Sequence, residues 1–225
     1  MIFAISSQTG RQRFPGVRKA LLFLMFLACG MVVAQADERV VVGSKRFTES
    51  YILGEIVAQT ARTTGVRAEH RPGLGNTAVV LEALKAGSID IYPEYLGTIE
   101  QEILKLPTGS APETIARELA RLGLAHGVPL GFSNSYALAT TEALAVQRGM
   151  RRISDLRAQP DLRVALSQEF LGRADGWPGL AARYGLPQRP SAIDHGLSYA
   201  ALATARIAAT EIYTTDARIA ELKLH

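Results

Sequence analysis

The chain alternates short apolar runs that fit buried strands with longer segments in which apolar residues recur at helical spacing. From residue 39 onward the pattern predicts a strand, a helix, a strand, a helix and a strand, at residues 39–43, 48–64, 66–71, 78–86 and 89–92. This β-α-β-α-β order predicts an α/β fold with a parallel sheet. Ligand sites in such folds lie at the carboxyl ends of the strands.

The same pattern continues through the second half of the chain. It predicts a helix at 112–125, strands at 128–132 and 136–140, a short helix at 153–156, a strand at 162–166, helices at 176–184 and 196–204, and a strand at 208–213. We interpret this layout as two α/β lobes that join near residues 132–137. The predicted division is residues 37–132 for lobe 1, 133–215 for lobe 2, and 216–225 for the start of a return to lobe 1.

The first 36 residues have the pattern of an export signal. Four basic residues and no acidic one precede an apolar run over 20–34, which closes on an Ala-x-Ala site ending at Ala36. This pattern predicts a secretory signal peptide that is cleaved after Ala36. A retained transmembrane anchor is the alternative, but the run is shorter than the roughly 20 apolar residues that cross a bilayer. Cys29, the only cysteine, lies in a segment that loosely resembles a lipoprotein signal, so a lipid-anchored form stays open.

The charge of the chain is concentrated in this leader. The whole sequence has 25 basic and 21 acidic residues, and removal of the four leader cations leaves 21 of each. A mature chain without net charge gives no electrostatic reason to bind nucleic acid. It would also contain no disulfide, because Cys29 lies in the leader.

Catalytic and metal-binding patterns are weak. The sequence has no G-x-S-x-G elbow, and its histidines, which we expect at the surface or in loops, lack the spacing of a metal site; they are His70, His126, His195 and His225. Residues 73–78 (GLGNTA) formally match a dinucleotide-binding turn. That turn normally follows the first strand, whereas here it follows the second, so a tight turn into a helix is the simpler explanation. The sequence therefore predicts no catalytic residue, no metal and no cofactor.

Tyrosines lie at the ends of three predicted strands. Tyr95 closely follows one strand, Tyr136 begins another, and Tyr213 ends a third. Aromatic faces that converge on a cleft can bind a quaternary ammonium ion, because the ring quadrupole attracts a cation without hydrogen-bond donors. Alternatively, each ring plugs a strand end with its hydroxyl in water. The residues alone leave both readings open.

Six segments of the chain resemble the substrate-binding proteins of ABC transporters for glycine betaine, proline betaine and choline. They are residues 43–54 (GSKRFTESYILG), 73–77 (GLGNT), 90–98 (DIYPEYLGT), 135–139 (SYALA), 169–176 (EFLGRADG) and 213–216 (YTTD). The segments follow the family's order across nearly all of residues 39–220. The resemblance implies a type II periplasmic-binding-protein fold, in which two α/β lobes close on the ligand.

The resemblance also implies roles for seven residues. Tyr95, Tyr136 and Tyr213 match tyrosines that surround the ligand's trimethylammonium group. A second set matches positions that hold the ligand carboxylate, namely Lys45, Thr98 and Arg173, and Asn134 is expected to add a main-chain carbonyl beside the ammonium group. Arginine and lysine suit a carboxylate chemically. Tyr92 is expected to support packing instead.

The implied function is a periplasmic, non-catalytic and monomeric binding protein that delivers betaine-like solutes to an inner-membrane permease. Family members continue for roughly another 70 to 80 residues after the YTTD segment, about the size of a missing part of a lobe. We therefore expect the first lobe to be incomplete in this chain. The alternative is a truncated or non-transporting sensing or interaction module of the same fold.

Overall fold

The computed structural model describes residues 2–6 and 39–225. Its larger sheet has the order β3-β2-β4-β1-β5. The strands are β1 (Ile2–Ser6), β2 (Val40–Gly43), β3 (Ala68–Arg71), β4 (Ile91–Glu94) and β5 (Leu124–His126). Strand β2 pairs in parallel with β3 and β4, whereas β1 runs antiparallel to both β4 and β5. The predicted parallel α/β unit is therefore present, with one antiparallel strand inserted.

Four helices accompany this sheet. They are α1 (Thr48–Thr63), α2 (Thr77–Lys85), α3 (Leu96–Thr98), which continues as a π-helix (Ile99–Ile103), and α4 (Pro112–Arg121). Helix α2 begins where the side chain of Asn76 accepts a hydrogen bond from the Val79 amide. Its inner face, with Val80 and Leu84 fully buried, packs in one core with Tyr92. Tyr92 thus supports packing, as the sequence predicted.

The second half of the chain forms two small sheets. The antiparallel pair is β6 (Tyr136–Ala139) with β9 (Thr210–Tyr213), and the parallel pair is β7 (Ala165–Leu166) with β8 (Ser191–Ala192). The helices around them are α5 (Glu142–Arg148), a 3₁₀-helix (Ile153–Ala158), α6 (Gln168–Gly172), α7 (Trp177–Tyr184), α8 (His195–Ala203) and α9 (Arg218–Glu221). Leu166, Phe170 and Trp177 lie in a second core.

Two predictions between residues 112 and 132 are wrong. The predicted helix over 112–125 ends at Arg121, because Gly123 adopts a left-handed conformation (φ 70°) that terminates it, and β5 follows. No strand forms over 128–132. Pro129 lacks an N–H for a ladder, and Gly131 has φ 77°, which a strand does not accommodate.

Strand boundaries elsewhere also shift. The strand predicted over 89–92 runs from Ile91 to Glu94, so Pro93 lies within it and Tyr95 follows directly. The strand predicted over 162–166 is reduced to Ala165–Leu166, with a single bridge from Val164 to Ala209. Helices α5 and α6 had no prediction. Each is short and begins at a hydroxyl cap, Thr141 and Ser167 respectively.

The predicted leader is only partly described. Ile2–Ser6 within it form β1, while Cys29 and the cleavage site after Ala36 lie outside the described residues. Among the described residues, no helix is long and apolar enough to cross a membrane. The division into lobes at residues 132 and 133 stays a prediction.

Strand β1 supplies the pairing between β4 and β5, since Ala4 lies opposite Tyr92 on one side and His126 on the other. We expect Ala4→Pro to destabilise the full chain by about 1–3 kcal/mol, because proline removes a ladder donor in a central strand and leaves its partner carbonyl unpaired. Ala4→Gly, which keeps the N–H, should cost only about 0.5–1 kcal/mol. Urea denaturation of the three proteins measures this. Equal midpoints for the parent and Ala4→Pro would show that the sheet does not depend on β1.

Candidate functional site

The site begins at the carboxyl end of β2, where the chain turns into α1. Lys45 lies in this turn with only 4% of its surface exposed, and its amide donates to the Ser50 hydroxyl. The Lys45 ammonium donates to Glu94 Oε1 at 2.7 Å and to Thr77 Oγ1 at 3.1 Å. Glu94 is fully buried, so the ends of β2 and β4 are joined by a buried ion pair.

Tyr95 follows β4 directly and begins α3. Its hydroxyl donates to Glu49 Oε1 at 2.5 Å, and its amide donates to Glu94 Oε1 at 2.9 Å. The Lys45 ammonium lies 5.1 Å from the centroid of the Tyr95 ring, within the range of a cation–π contact. Burial, followed by the hydrogen bond to Glu49, raises the pKa of Tyr95 well above its ordinary value, so the phenol stays neutral.

Tyr136 and Tyr213 face each other across the β6–β9 pair. They are register partners, and their ring centroids are 5.3 Å apart. The segments beside these strands are also joined, since the Thr214 amide donates to the Ser135 carbonyl at 3.0 Å. Burial raises the pKa of both hydroxyls. The two predicted cage rings therefore form one neutral aromatic wall.

Arg173 lies just after α6 and is 3% exposed. Its guanidinium donates to Thr98 Oγ1 at 3.1 Å and holds Asp175 through two bonds of 2.9 and 2.7 Å. Burial alone would lower the pKa of Arg173, but the hydrogen bond to Asp175 raises it above the ordinary value. Arg173 therefore stays charged and connects the second half of the chain to α3.

All seven residues that the sequence singled out line one cavity of about 220 Å³. Pockets for drug-sized ligands span about 300–1,000 Å³, so this cavity suits a smaller molecule. The three tyrosines lie at one cavity together with Thr98 and Arg173. The side chain of Asn134 donates to Glu49 Oε1 at 3.0 Å and to the Tyr95 hydroxyl at 3.2 Å. The roles assigned to these residues stay predictions.

Phe47 is a further aromatic residue, in contact with two of the three tyrosines, that the sequence did not single out. Its ring, 9% exposed, lies 4.7 Å from Tyr213 and 6.2 Å from Tyr95 between centroids. Phe47 does not line the cavity of about 220 Å³ but lines a neighbouring cavity of about 530 Å³, to which Tyr213 also belongs. The rule that selected the tyrosines, aromatics at strand ends, also selects Phe47, which follows β2.

The cations of the site already have anionic partners. Lys45 pairs with Glu94, and Arg173 pairs with Asp175, so a ligand carboxylate would share a cation with a protein carboxylate. Glu169 is part-buried, with 14% of its side chain exposed. It accepts hydrogen bonds from Thr77 Oγ1 at 2.7 Å and from the Thr77 amide at 3.3 Å. Burial would raise the pKa of Glu169, but the charge of Lys45 and the bonds from Thr77 lower it below 4.5.

The contact between Thr77 and Glu169 also bears on the glycine-rich turn at 73–78. Dinucleotide-binding turns leave the N-terminus of the following helix open for a phosphate. Here the Glu169 carboxylate occupies the N-terminus of α2. Gly75 (φ 148°) lies so close to Val79 that a β-carbon would meet its side chain at 2.9 Å. Close packing therefore explains the glycine, and the turn does not fit a nucleotide.

Two of the four histidines contradict the expectation of surface or loop positions. The His70 side chain is 8% exposed and hydrogen bonds to Glu55 and Ser44, while His195 is 9% exposed and lies 4.3 Å from the Tyr213 ring. His195 lines a second cavity of about 530 Å³, which shares Lys45 and Tyr213 with the cavity of about 220 Å³. No group of three or more metal-ligating side chains occurs among the described residues.

The sequence is similar to those of solute-binding proteins of transport systems. A family model described as the substrate-binding domain of the ABC-type glycine betaine transport system matches residues 38–225. A glycine-betaine-binding protein of Pseudomonas aeruginosa is 32% identical over 228 residues, which covers 91% of this chain and 72% of that protein. An ergothioneine transport permease/ergothioneine binding protein of Helicobacter pylori is 30% identical over 222 residues. That match covers 95% of this chain but only 40% of the longer protein.

Among solved structures, the crystal structure of a glycine betaine/carnitine/choline ABC transporter is similar to the described fold. The TM-score is 0.54 at 25% sequence identity, and the match covers 84% of this chain and 72% of that chain.

The pKa of Glu169 predicts a pH dependence. A carboxyl whose pKa is lowered on folding contributes stability above its unfolded pKa, here about 4.5, and loses it as the pH falls through the folded value. We expect Glu169→Gln to cost about 1–3 kcal/mol at neutral pH and less in acid. Urea unfolding between about pH 6 and pH 3 measures the difference. Exposed Glu113→Gln is the matched control. A constant difference across this range would contradict the prediction.

Proposed function

Because this chain belongs to the family of substrate-binding domains of ABC-type glycine betaine transport systems, we propose that it binds a quaternary-ammonium solute such as glycine betaine, choline or proline betaine. At the level of the family, it is the substrate-binding component of an ABC transporter for betaine-, carnitine- or choline-type compatible solutes. It has the periplasmic-binding-protein fold. The family binds solutes and does not transform them, so the chain is not an enzyme.

The observation that carries the proposal is the single cavity that Tyr95, Tyr136 and Tyr213 share with Thr98 and Arg173. A quaternary ammonium group has no N–H, so it cannot be held by hydrogen bonds and is attracted to π-faces instead. A carboxylate suits the guanidinium and the hydroxyl. The two ends of one zwitterion therefore have matching partners within one small cavity.

Lys45 and Asn134 complete the proposed site. The Lys45 ammonium lines the same cavity, 5.1 Å from the Tyr95 ring centroid, and its proposed contact with the ligand carboxylate follows the family pattern. Asn134 is tied through its side chain to Tyr95 and Glu49, which leaves its main-chain carbonyl for the ammonium end. This role follows the family pattern.

The proposed partner is a membrane permease to which the loaded protein delivers its ligand. This follows from the family, whose matched model describes a transport system. The leader-like sequence at residues 1–36 supports a periplasmic location, with cleavage after Ala36. Retention of residues 1–36 in the exported protein, measured by N-terminal sequencing, would contradict the cleavage.

Ergothioneine is a second candidate ligand. It is a trimethylammonium betaine that also carries an imidazole-thione ring, and the Helicobacter pylori relative is named for it. The cavity of about 530 Å³, which Phe47, His195 and Tyr213 line, offers room for such a ring. Titration with glycine betaine, choline and ergothioneine under the same conditions distinguishes the candidates.

The aromatic contacts predict the effect of removing each ring. Tyr95→Ala, Tyr136→Ala and Tyr213→Ala should each weaken ligand binding by about 0.5–2 kcal/mol, because each removes one cation–π partner. Tyr213→Phe keeps the ring and should bind nearly as the parent does. Tyr51→Ala, outside the cavity, is the control. Isothermal titration calorimetry measures the affinities, and parent-like binding by the triple alanine variant would refute the cage.

The carboxylate contacts predict a difference between ligands. Arg173→Gln and Thr98→Val should weaken glycine betaine binding about tenfold or more, because a charge-assisted hydrogen bond contributes about 1.5–3 kcal/mol. Choline, which has no carboxylate, should lose less than about threefold. The ratio of the two dissociation constants is the readout. Equal losses for both ligands would show that Arg173 and Thr98 act on the fold or on lobe closure and not on the carboxylate.

A further inference from the structure

Glu49 lies in the first turn of α1, behind the aromatic residues of the cavity. Its carboxylate accepts hydrogen bonds from three side chains: the Tyr95 hydroxyl at 2.5 Å, the Asn134 amide at 3.0 Å and the Thr215 hydroxyl. These donors come from three parts of the chain, namely the end of β4, the segment before β6 and the segment after β9. One carboxylate therefore ties together the pieces that present the cage rings.

All three donors are uncharged. Among the described residues, no lysine, arginine or histidine lies within ion-pair distance of Glu49. Neighbouring carboxylates differ, because Glu94 pairs with Lys45 at 2.7 Å and Asp175 pairs with Arg173 at 2.7 Å. Glu49 therefore forms no ion pair with the described part of the chain.

We propose that Glu49 is the counter-charge of the ligand's ammonium group and the positioning residue of Tyr95. The proposal rests on the proposed binding of a quaternary ammonium solute. Glu49 does not line the cavity, so it acts through Tyr95 and through its field, and its charge makes the site select cations over uncharged molecules of the same shape.

The hydrogen bond from Tyr95 explains how the charge reaches the ligand. A phenol that donates to a carboxylate is polarised, which increases the electron density of its ring and strengthens the attraction of its face for a cation. The low dielectric of a part-buried cleft increases the same attraction. Asn134 donates to the same oxygen, Oε1, as Tyr95, and Thr215 donates to Oε2. These bonds fix the carboxylate, so the Tyr95 ring is also held in one orientation.

The proposal makes a prediction that a merely structural role does not. Choline and its uncharged isostere 3,3-dimethylbutan-1-ol have nearly the same shape but differ in charge. Glu49→Gln keeps the acceptor oxygen and the size of the side chain while removing the charge. We expect the variant to bind choline about tenfold more weakly, about 1.4 kcal/mol, and the isostere within about twofold of the parent.

The experiment measures both dissociation constants by titration for the parent, Glu49→Gln and Glu55→Gln. Glu55 is the matched control, because it lies on the same helix and contacts Gln59, Arg62 and His70 instead of cage residues. If Glu49→Gln weakens the binding of choline and of the isostere equally, Glu49 only stabilises the fold. If choline binding is unchanged, the charge of Glu49 does not contribute to it. Either result overturns the proposal.

A second variant keeps the test decisive if Glu49→Gln does not fold. Tyr95→Phe removes the hydrogen bond to Glu49 and leaves the ring and the carboxylate. It should therefore weaken the binding of choline by about threefold and leave the binding of the isostere unchanged. Equal weakening of choline and the isostere, or none, would count against the proposal. If the parent chain binds no quaternary ammonium ligand at all, the proposed function itself fails. Binding by the parent with no selectivity change in the variants overturns only the role of Glu49.

Discussion

The buried ion pair between Lys45 and Glu94 is the contact on which the arrangement of the site depends. It joins the carboxyl ends of β2 and β4 at 2.7 Å, and both side chains are almost completely excluded from solvent. Two buried charges are stable only when each keeps its partner and further hydrogen bonds. Thr77 supplies one such bond to Lys45, and the Tyr95 amide supplies another to Glu94. The pair therefore fixes the position of α2 and the direction in which Tyr95 leaves the sheet.

From this pair, polar contacts extend into the second half of the chain. Thr77 donates to Glu169 on α6, and Arg173 at the end of α6 reaches back to Thr98 on α3. Glu49 makes a parallel connection through Asn134 and Thr215. The two halves meet through these hydrogen bonds and through the ring contact of Phe47 with Tyr213, while their apolar cores are separate clusters.

Much of the local structure could be predicted from the sequence. The predicted bounds of β2, α1, α2 and α7 agree with the structure to within a few residues. Predictions failed where one residue overrides the pattern. Gly123 ends α4 early, and Pro129 with Gly131 prevents a strand that the apolar residues suggested. Short elements such as α6 cannot be predicted from the pattern, because five residues contain too few turns to show a helical period of apolar positions.

The candidate site divides in the same way. The sequence by itself selected seven residues, through aromatic residues at strand ends and six family-like segments, and these seven line one cavity. Only the tertiary structure decided which partners those residues have. The pairing of Lys45 with Glu94, the position of Phe47 against Tyr213, the burial of His195 and the three bonds to Glu49 join residues far apart in sequence. Local patterns report backbone preference and burial, whereas a charge or a ring acquires its role from neighbours that folding brings beside it.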